Sequence, residues 1–283
     1  MQTGQPSRTA LSAAIHRAAH QLLEQGRIFS DPLAVRILAQ TPEAILKVAD
    51  AYPEQRRMRL FIAARTRFAE DALAAAIGRG VRQLVVLGAG LDTFAYRNPY
   101  ADLGLLVFEV DHPATQAWKR ARLAEVEIAA PPSLAYAPVD FETETLADGL
   151  AAAGFDPAGP SFFTWAGVVP YLTRAAVLAT LAYVGGLPGG GEIVFDYSDP
   201  PSTLEGAEQQ AAQAVRAERV AQMGEPWITY FSAEDLATEL GALGFDAIED
   251  LDPAAVGERF FGVPAGGARR RGAHLIRASR LPD

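Results

Sequence analysis

The chain has 283 residues, a formal net charge of −9, 49% hydrophobic and 21% charged residues, and no cysteine. This balance excludes an unfolded chain, a disulfide framework, a thiolate nucleophile and cysteine-ligated zinc or iron–sulfur centres. The acidic excess argues against a general nucleic-acid binder, the absence of about 18 uninterrupted apolar residues argues against a membrane span, and without an apolar leader a cytoplasmic location is expected.

The first 80 residues read as helical. Ser12 to Gln25 spaces Ile15, Ala18, Ala19, Leu22 and Leu23 on one helical face. Asp31-Pro32 has the form of an N-cap with proline at the first helical position, predicting a helix through Val35, Ile37 and Leu38. A further helix is predicted from about Arg59 to Ile77, ending at Gly78 and Gly80, with Arg56, Arg57, Arg59, Arg65 and Arg67 in or just before it.

From residue 81 short apolar runs alternate with helical patterns, as expected of parallel strands covered on both faces. Strands are predicted at Gln83 to Leu87, Leu105 to Val110, Leu134 to Val139, Phe162 to Trp165 and Glu192 to Tyr197, with a helix from Arg174 to Val184 capped by Thr173. An amphipathic helix around Leu204 to Met223 reads as an insertion, and Ser232-Ala233-Glu234-Asp235 is a capping box for a helix ending at Gly244. Phe245 to Leu251 and Ala273 to Ser279 supply two closing strands, expected to be antiparallel to each other. The alternation predicts a doubly wound α/β sheet.

The stretch Leu84 to Thr93 runs a strand directly into Gly88-Ala89-Gly90. In open α/β sheets ligands bind beyond the carboxyl ends of the strands, where glycine lets the backbone approach them closely. Asp111 ends the next strand at the distance where an acid accepts hydrogen bonds from a ribose diol, and Asp140 ends the one after. Two successive acidic strand ends favour a nucleoside site. Thr93 stands where a dinucleotide fingerprint carries its third glycine, which favours an adenosine-bearing cofactor without a pyrophosphate, S-adenosylmethionine above all.

The stretches Ser7-Arg8-Thr9-Ala10, Phe29-Ser30-Asp31-Pro32-Leu33-Ala34, Ala63-Ala64-Arg65-Thr66, Leu87 to Thr93, Phe108-Glu109-Val110-Asp111, Val139-Asp140, Pro170-Tyr171-Leu172 and Gly224-Glu225-Pro226-Trp227 together resemble the leucine carboxyl methyltransferase-like group of class I S-adenosylmethionine-dependent methyltransferases, in its bacterial, polyketide and actinobacterial branch. The resemblance implies a Rossmann-like α/β fold with a seven-stranded, mostly parallel sheet, N-terminal helices and a helical cap after strand five. It implies one domain over 1–283, with a helical portion at 1–80, a cofactor core at 81–199, the cap at 200–230 and the end of the sheet at 231–283. It also implies that Arg8 and Arg65 face the methionine carboxylate and that Gly88, Ala89 and Gly90 line the methionine portion. Asp111 would hold the ribose, Asp140 and Phe141 would flank the adenine, and Ala166 would lie close to the cofactor.

Two positions depart from the pattern: Phe94 replaces a common arginine, and Ala166 replaces a glutamate before Gly167. Methyl transfer from a sulfonium needs alignment and water exclusion rather than a protein nucleophile. A carboxylate acceptor needs no general base, whereas a phenol benefits from one; His112 adjoins the expected cofactor edge and is not assigned as that base. Tyr171, Tyr197, Tyr230 and Arg259 are candidates for the wall of a pocket for a small or medium acceptor with an oxygen nucleophile. There is no Gly-x-Ser-x-Gly elbow, His-Glu-x-x-His helix or phosphate loop, so neither a metal nor a nucleoside triphosphate is expected. The residues leave two alternatives open: a nicotinamide-dependent oxidoreductase, and a cofactor-binding protein that has lost methyl transfer.

Overall fold

The structure, a computed structural model, describes residues 7–140, 144–204, 206–222, 224–264, 266 and 270–280. Among these, the strands are β1 (Gln83–Leu87), β2 (Leu106–Asp111), β3 (Leu134–Pro138), β4 (Ser161–Trp165), β5 (Gly191–Ser198), β6 (Ala247–Leu251) and β7 (Ala273–Arg280), in the order β3-β2-β1-β4-β5-β7-β6. The pairs β2–β3, β1–β4 and β4–β5 are parallel, and β7 runs antiparallel to both β5 and β6. This is the expected Rossmann-like order, its parallel strands closed by one reversed strand.

The helices are α1 (Arg8–Leu23), α2 (Pro42–Ala51), α3 (Arg56–Gly78), α4 (Pro113–Glu125), α5 (Leu146–Ala152), α6 (Arg174–Gly185), α7 (Ala207–Gln222), α8 (Ala233–Ala242) and α9 (Pro253–Phe261). Several starts follow directly from side chains that satisfy the orphan N–H groups of a first turn. Ser7 accepts from Ala10 N, Thr173 from Ala176 N and Ser232 from Asp235 N. The helix expected after Asp31-Pro32 is a correction: the chain forms turns and one 3-10 turn, Arg36–Leu38, ended by Ala39 at φ 50°. Asp31 does cap locally, accepting from Leu33 N at 3.0 Å, but its other oxygen is drawn to the Thr93 hydroxyl at 2.7 Å.

The chain divides into two compact units, Met1–Glu70 with Gly88–Phe155, and Asp71–Leu87 with Asp156–Asp283. In the first unit, Ala14, Ala18 and Ala19 of α1 pack with Ala34, Ile37, Leu38, Ile45, Leu91 and Leu123. Small residues on α1 let its backbone come close to the loop that carries Leu91. In the second unit β5 is buried along all eight residues, because β4 and β7 flank it and helices cover it.

Candidate functional site

The chain leaves β1 at Leu87 and enters the loop 88–93. Gly88 and Gly90 have φ of 64° and 45°, left-handed values that a side chain disfavours. A Cβ on Gly90 would lie 2.9 Å from the Ala10 Cβ, so α1 closes one side of the loop and leaves no room for a larger residue. Ala89 N donates to Val110 O at 3.1 Å and Asp92 N to Ala89 O at 2.7 Å, fixing the turn.

Asp111 completes this loop from the end of β2. One carboxylate oxygen accepts from Gly90 N at 2.6 Å and the other from His112 N at 2.7 Å. Burial pushes its pKa up, against the opposing pull of these two N–H donors. Because a carboxylate offers about four acceptor positions, two remain for hydroxyl donors. Val139 N donates to Asp111 O at 3.0 Å, which brings the Asp140 segment beside Asp111. Asp140 N is held by the Glu144 carboxylate at 3.0 Å. Phe141 lies outside the described residues. His112 accepts from Ala114 N through Nδ1 at 3.1 Å and so caps α4.

Sequence reasoning missed the charges behind the loop. Lys119 Nζ lies 2.8 Å from Glu109 Oε2, each side chain about 1% exposed. The Tyr96 hydroxyl lies 3.4 Å from the same oxygen and 2.9 Å from that of Tyr136. Burial raises the Glu109 pKa to about 7 in spite of Lys119. On the other side, Arg97 reaches both oxygens of Glu70, donates to Thr93 Oγ1 at 3.0 Å and lies 3.5 Å from Asp31. Its guanidinium sits over the rings of Phe29 and Phe94, 5.0 and 5.6 Å from their centroids. Phe94, the departure from the common arginine, is thus a buried platform for Arg97. Burial lowers the pKa of Arg17, an α1 arginine whose guanidinium donates to Leu91 O at 2.6 Å, and the nearby Arg65 charge lowers it further. Arg8 is exposed at the first position of α1.

The second unit contributes a separate group. Ala166 is exposed after β4, and the next residue donates from Gly167 N to Asp196 Oδ1 at 2.5 Å. The segment 224–231 follows α7 and is fastened by backbone bonds. Ile228 N and Thr229 N donate to Pro170 O at 2.7 and 3.2 Å, Phe231 N donates to Ser198 O at 3.1 Å, and the Thr229 hydroxyl donates to Leu172 O. Tyr171 and Tyr230 are partly exposed along this contact, and burial raises the Tyr230 pKa. Tyr197 is buried instead, its hydroxyl 2.9 Å from Asp250 and 3.1 Å from His274. Arg259 is on α9, in an exposed ion pair of 2.7 Å with Glu249 of β6.

A sheet of this order, with a glycine turn after β1 and an acid at the end of β2, defines the Rossmann-like fold of class I S-adenosylmethionine-dependent methyltransferases. The chain belongs to the leucine carboxyl methyltransferase family, which it matches over residues 10–185. It is 33% identical over 244 residues to the Bacillus subtilis protein named "Putative S-adenosyl-L-methionine-dependent methyltransferase YktD", covering 85% of this chain and 77% of that one. A Mycolicibacterium paratuberculosis protein named "Putative S-adenosyl-L-methionine-dependent methyltransferase" is 31% identical, covering 84% and 81% of the two chains. Among solved structures, a protein from Thermobifida fusca described as a "putative methyltransferase" shares the fold with a TM-score of 0.58 at 16% identity, covering 99% of this chain and 97% of that one. The chain is an S-adenosylmethionine-dependent methyltransferase, which sets aside the nicotinamide alternative. No described helix is long and apolar enough to cross a membrane.

Proposed function

We propose that the enzyme methylates an oxygen of a small or medium apolar acceptor, a carboxylate first and a phenolic hydroxyl second. The observation that carries the choice of a carboxylate is membership of a family described by carboxyl methylation. The acceptor wall is formed by the segment 224–231 against the turn at Pro170, with Tyr171 and Tyr230 partly exposed along it. Tyr197 and Arg259 are engaged elsewhere and contribute through the framework.

The cofactor is held by Gly88, Ala89, Gly90, Asp111 and Asp140, with Arg8 and Arg65 toward its carboxylate. The donor set suits that role. A partly exposed, acceptor-only carboxylate matches a ribose diol, and glycines in left-handed conformations leave backbone free of side chains beside it. When bound, the cofactor supplies an activated methyl group. The chain's part is to orient an ionised carboxylate in line with it and to exclude water, and no general base is required.

Methyl transfer from isotopically labelled S-adenosylmethionine to a panel of carboxylic acids and phenols tests this reading. The expected product is an ester that releases labelled methanol in mild alkali. An alkali-stable ether moves the assignment to the phenol, and labelled nitrogen or carbon products overturn it.

A further inference from the structure

We infer that Arg17 is a positioning residue for the cofactor, acting through the backbone of the glycine loop without touching the ligand. This rests on the assignment of loop 88–93 to cofactor binding.

Arg17 is on the face of α1 turned to the loop. Its guanidinium donates to Leu91 O at 2.6 Å, a bond between residues 74 positions apart in the chain. Leu91 follows Gly90, the residue whose N–H the Asp111 carboxylate accepts. The loop is therefore gripped at two adjacent residues, by an acid on the Gly90 N–H and by a cation on the Leu91 carbonyl. Two turns of helix earlier, Ala10 limits the same loop at Gly90. Helix α1 thus fixes both the height and the tilt of the turn.

The cost of this arrangement points to function. Burial lowers the Arg17 pKa, and its Nε is enclosed with no hydrogen-bond partner. A buried, incompletely paired cation is a poor choice for stability, since an apolar residue of similar volume commonly serves as well or better. Asp92 and Asp31 carry charges near enough to oppose the effect of burial on Arg17, but each carboxylate also has hydrogen-bond partners of its own. Asp31 has the Thr93 hydroxyl, Leu33 N and Arg97, and Asp92 accepts from Phe94 N at 2.8 Å. Removing Arg17 leaves one loop carbonyl unheld and no carboxylate without a partner.

The experiment titrates S-adenosylhomocysteine into the wild-type full chain, Arg17→Met and Arg17→Lys, with melting midpoints measured in parallel. Wild type binds, Arg17→Met binds at least tenfold more weakly with its midpoint within a few degrees of wild type, and Arg17→Lys recovers part of the affinity because the ammonium still reaches the carbonyl. Wild-type affinity in a folded Arg17→Met overturns the inference, as does a loss of affinity that follows a loss of stability equally in both variants. If Arg17→Met does not fold, Arg17→Gln, whose shorter side chain cannot reach the Leu91 carbonyl, is read in its place: weaker binding at an unchanged midpoint supports the role, and wild-type binding removes it. Absence of binding by the wild type overturns the cofactor assignment itself and is recognised before any variant is read.

Discussion

Two buried charged clusters serve different ends. In the first unit Asp31, Glu70, Thr93 and Arg97 gather around the last residue of the glycine loop, and Arg17 holds its middle. In the second unit His274 lies between Asp199 and Asp250, 3.0 Å from each, with Arg271 on Asp199 and Tyr197 stacked on the imidazole at 4.6 Å between centroids. In the first cluster Arg17 bonds the loop backbone, while Asp31 and Arg97 meet the Thr93 hydroxyl and Arg97 is paired with Glu70. The second ties side chains from β5, β6 and β7 to one another and to Gly272 N. The first cluster fixes the shape of a loop, whereas the second cross-links three strands.

The largest effect that sharpens this contrast is expected in the second cluster. Asp199→Ala leaves His274 and Arg271 without a carboxylate that is 0% exposed, and should cost about 3–5 kcal/mol of folding stability. Urea denaturation measures it, and a loss below about 1 kcal/mol would reduce the cluster to a surface network.

A smaller effect lies in the pH dependence. Burial pulls the His274 pKa down, but the hydrogen bonds and charges of Asp250 and Asp199 outweigh it and the net shift is upward. The protonated histidine therefore contributes stability that is fully present below its unfolded value of about 6.5 and is lost as pH rises through the folded value. Glu109 acts in a lower window. Its pKa rises from 4.5 to about 7, so the folded state holds a proton the unfolded chain releases, and stability falls with rising pH between those values. Denaturation midpoints across pH should lose the upper slope in His274→Gln and the lower one in Glu109→Gln. A profile unchanged in both variants would contradict these assignments.

The smallest effect is expected at Ala166→Glu. Ala166 is exposed, and the Asp196 carboxylate already accepts from the next peptide N–H, so a new acid meets an existing negative charge. S-adenosylhomocysteine affinity should stay unchanged or fall by less than about 1 kcal/mol, because an exposed charge is largely screened by solvent. A sharp gain would mean that the alanine weakens the site, and would revive the reading of a binding protein without transfer activity.

The sheet was legible because buried parallel strands are continuous apolar runs bounded by turns, as at Gln83–Leu87. The caps at Thr173 and Ser232 were legible because their hydroxyls act within three residues. Helices α2 and α9 went unread although Thr41-Pro42 and Asp252-Pro253 carry the same signal that misled at Asp31-Pro32. At Asp31 the deciding partner is Thr93, 62 positions away, and no local pattern contains it. Gly88, Gly90 and Asp111 were visible because backbone approach and an acidic strand end leave fixed spacings. Arg17, Lys119 and the Arg97 network depend on long-range neighbours that no local pattern contains.

The central claim is that Asp111 and the glycine loop hold the cofactor. Calorimetric titration of S-adenosylhomocysteine into wild type and Asp111→Ala tests it most directly. Wild type should bind, and the folded variant should bind about 1–3 kcal/mol more weakly through loss of a charge-assisted contact. Equal affinity in a folded Asp111→Ala would contradict the account.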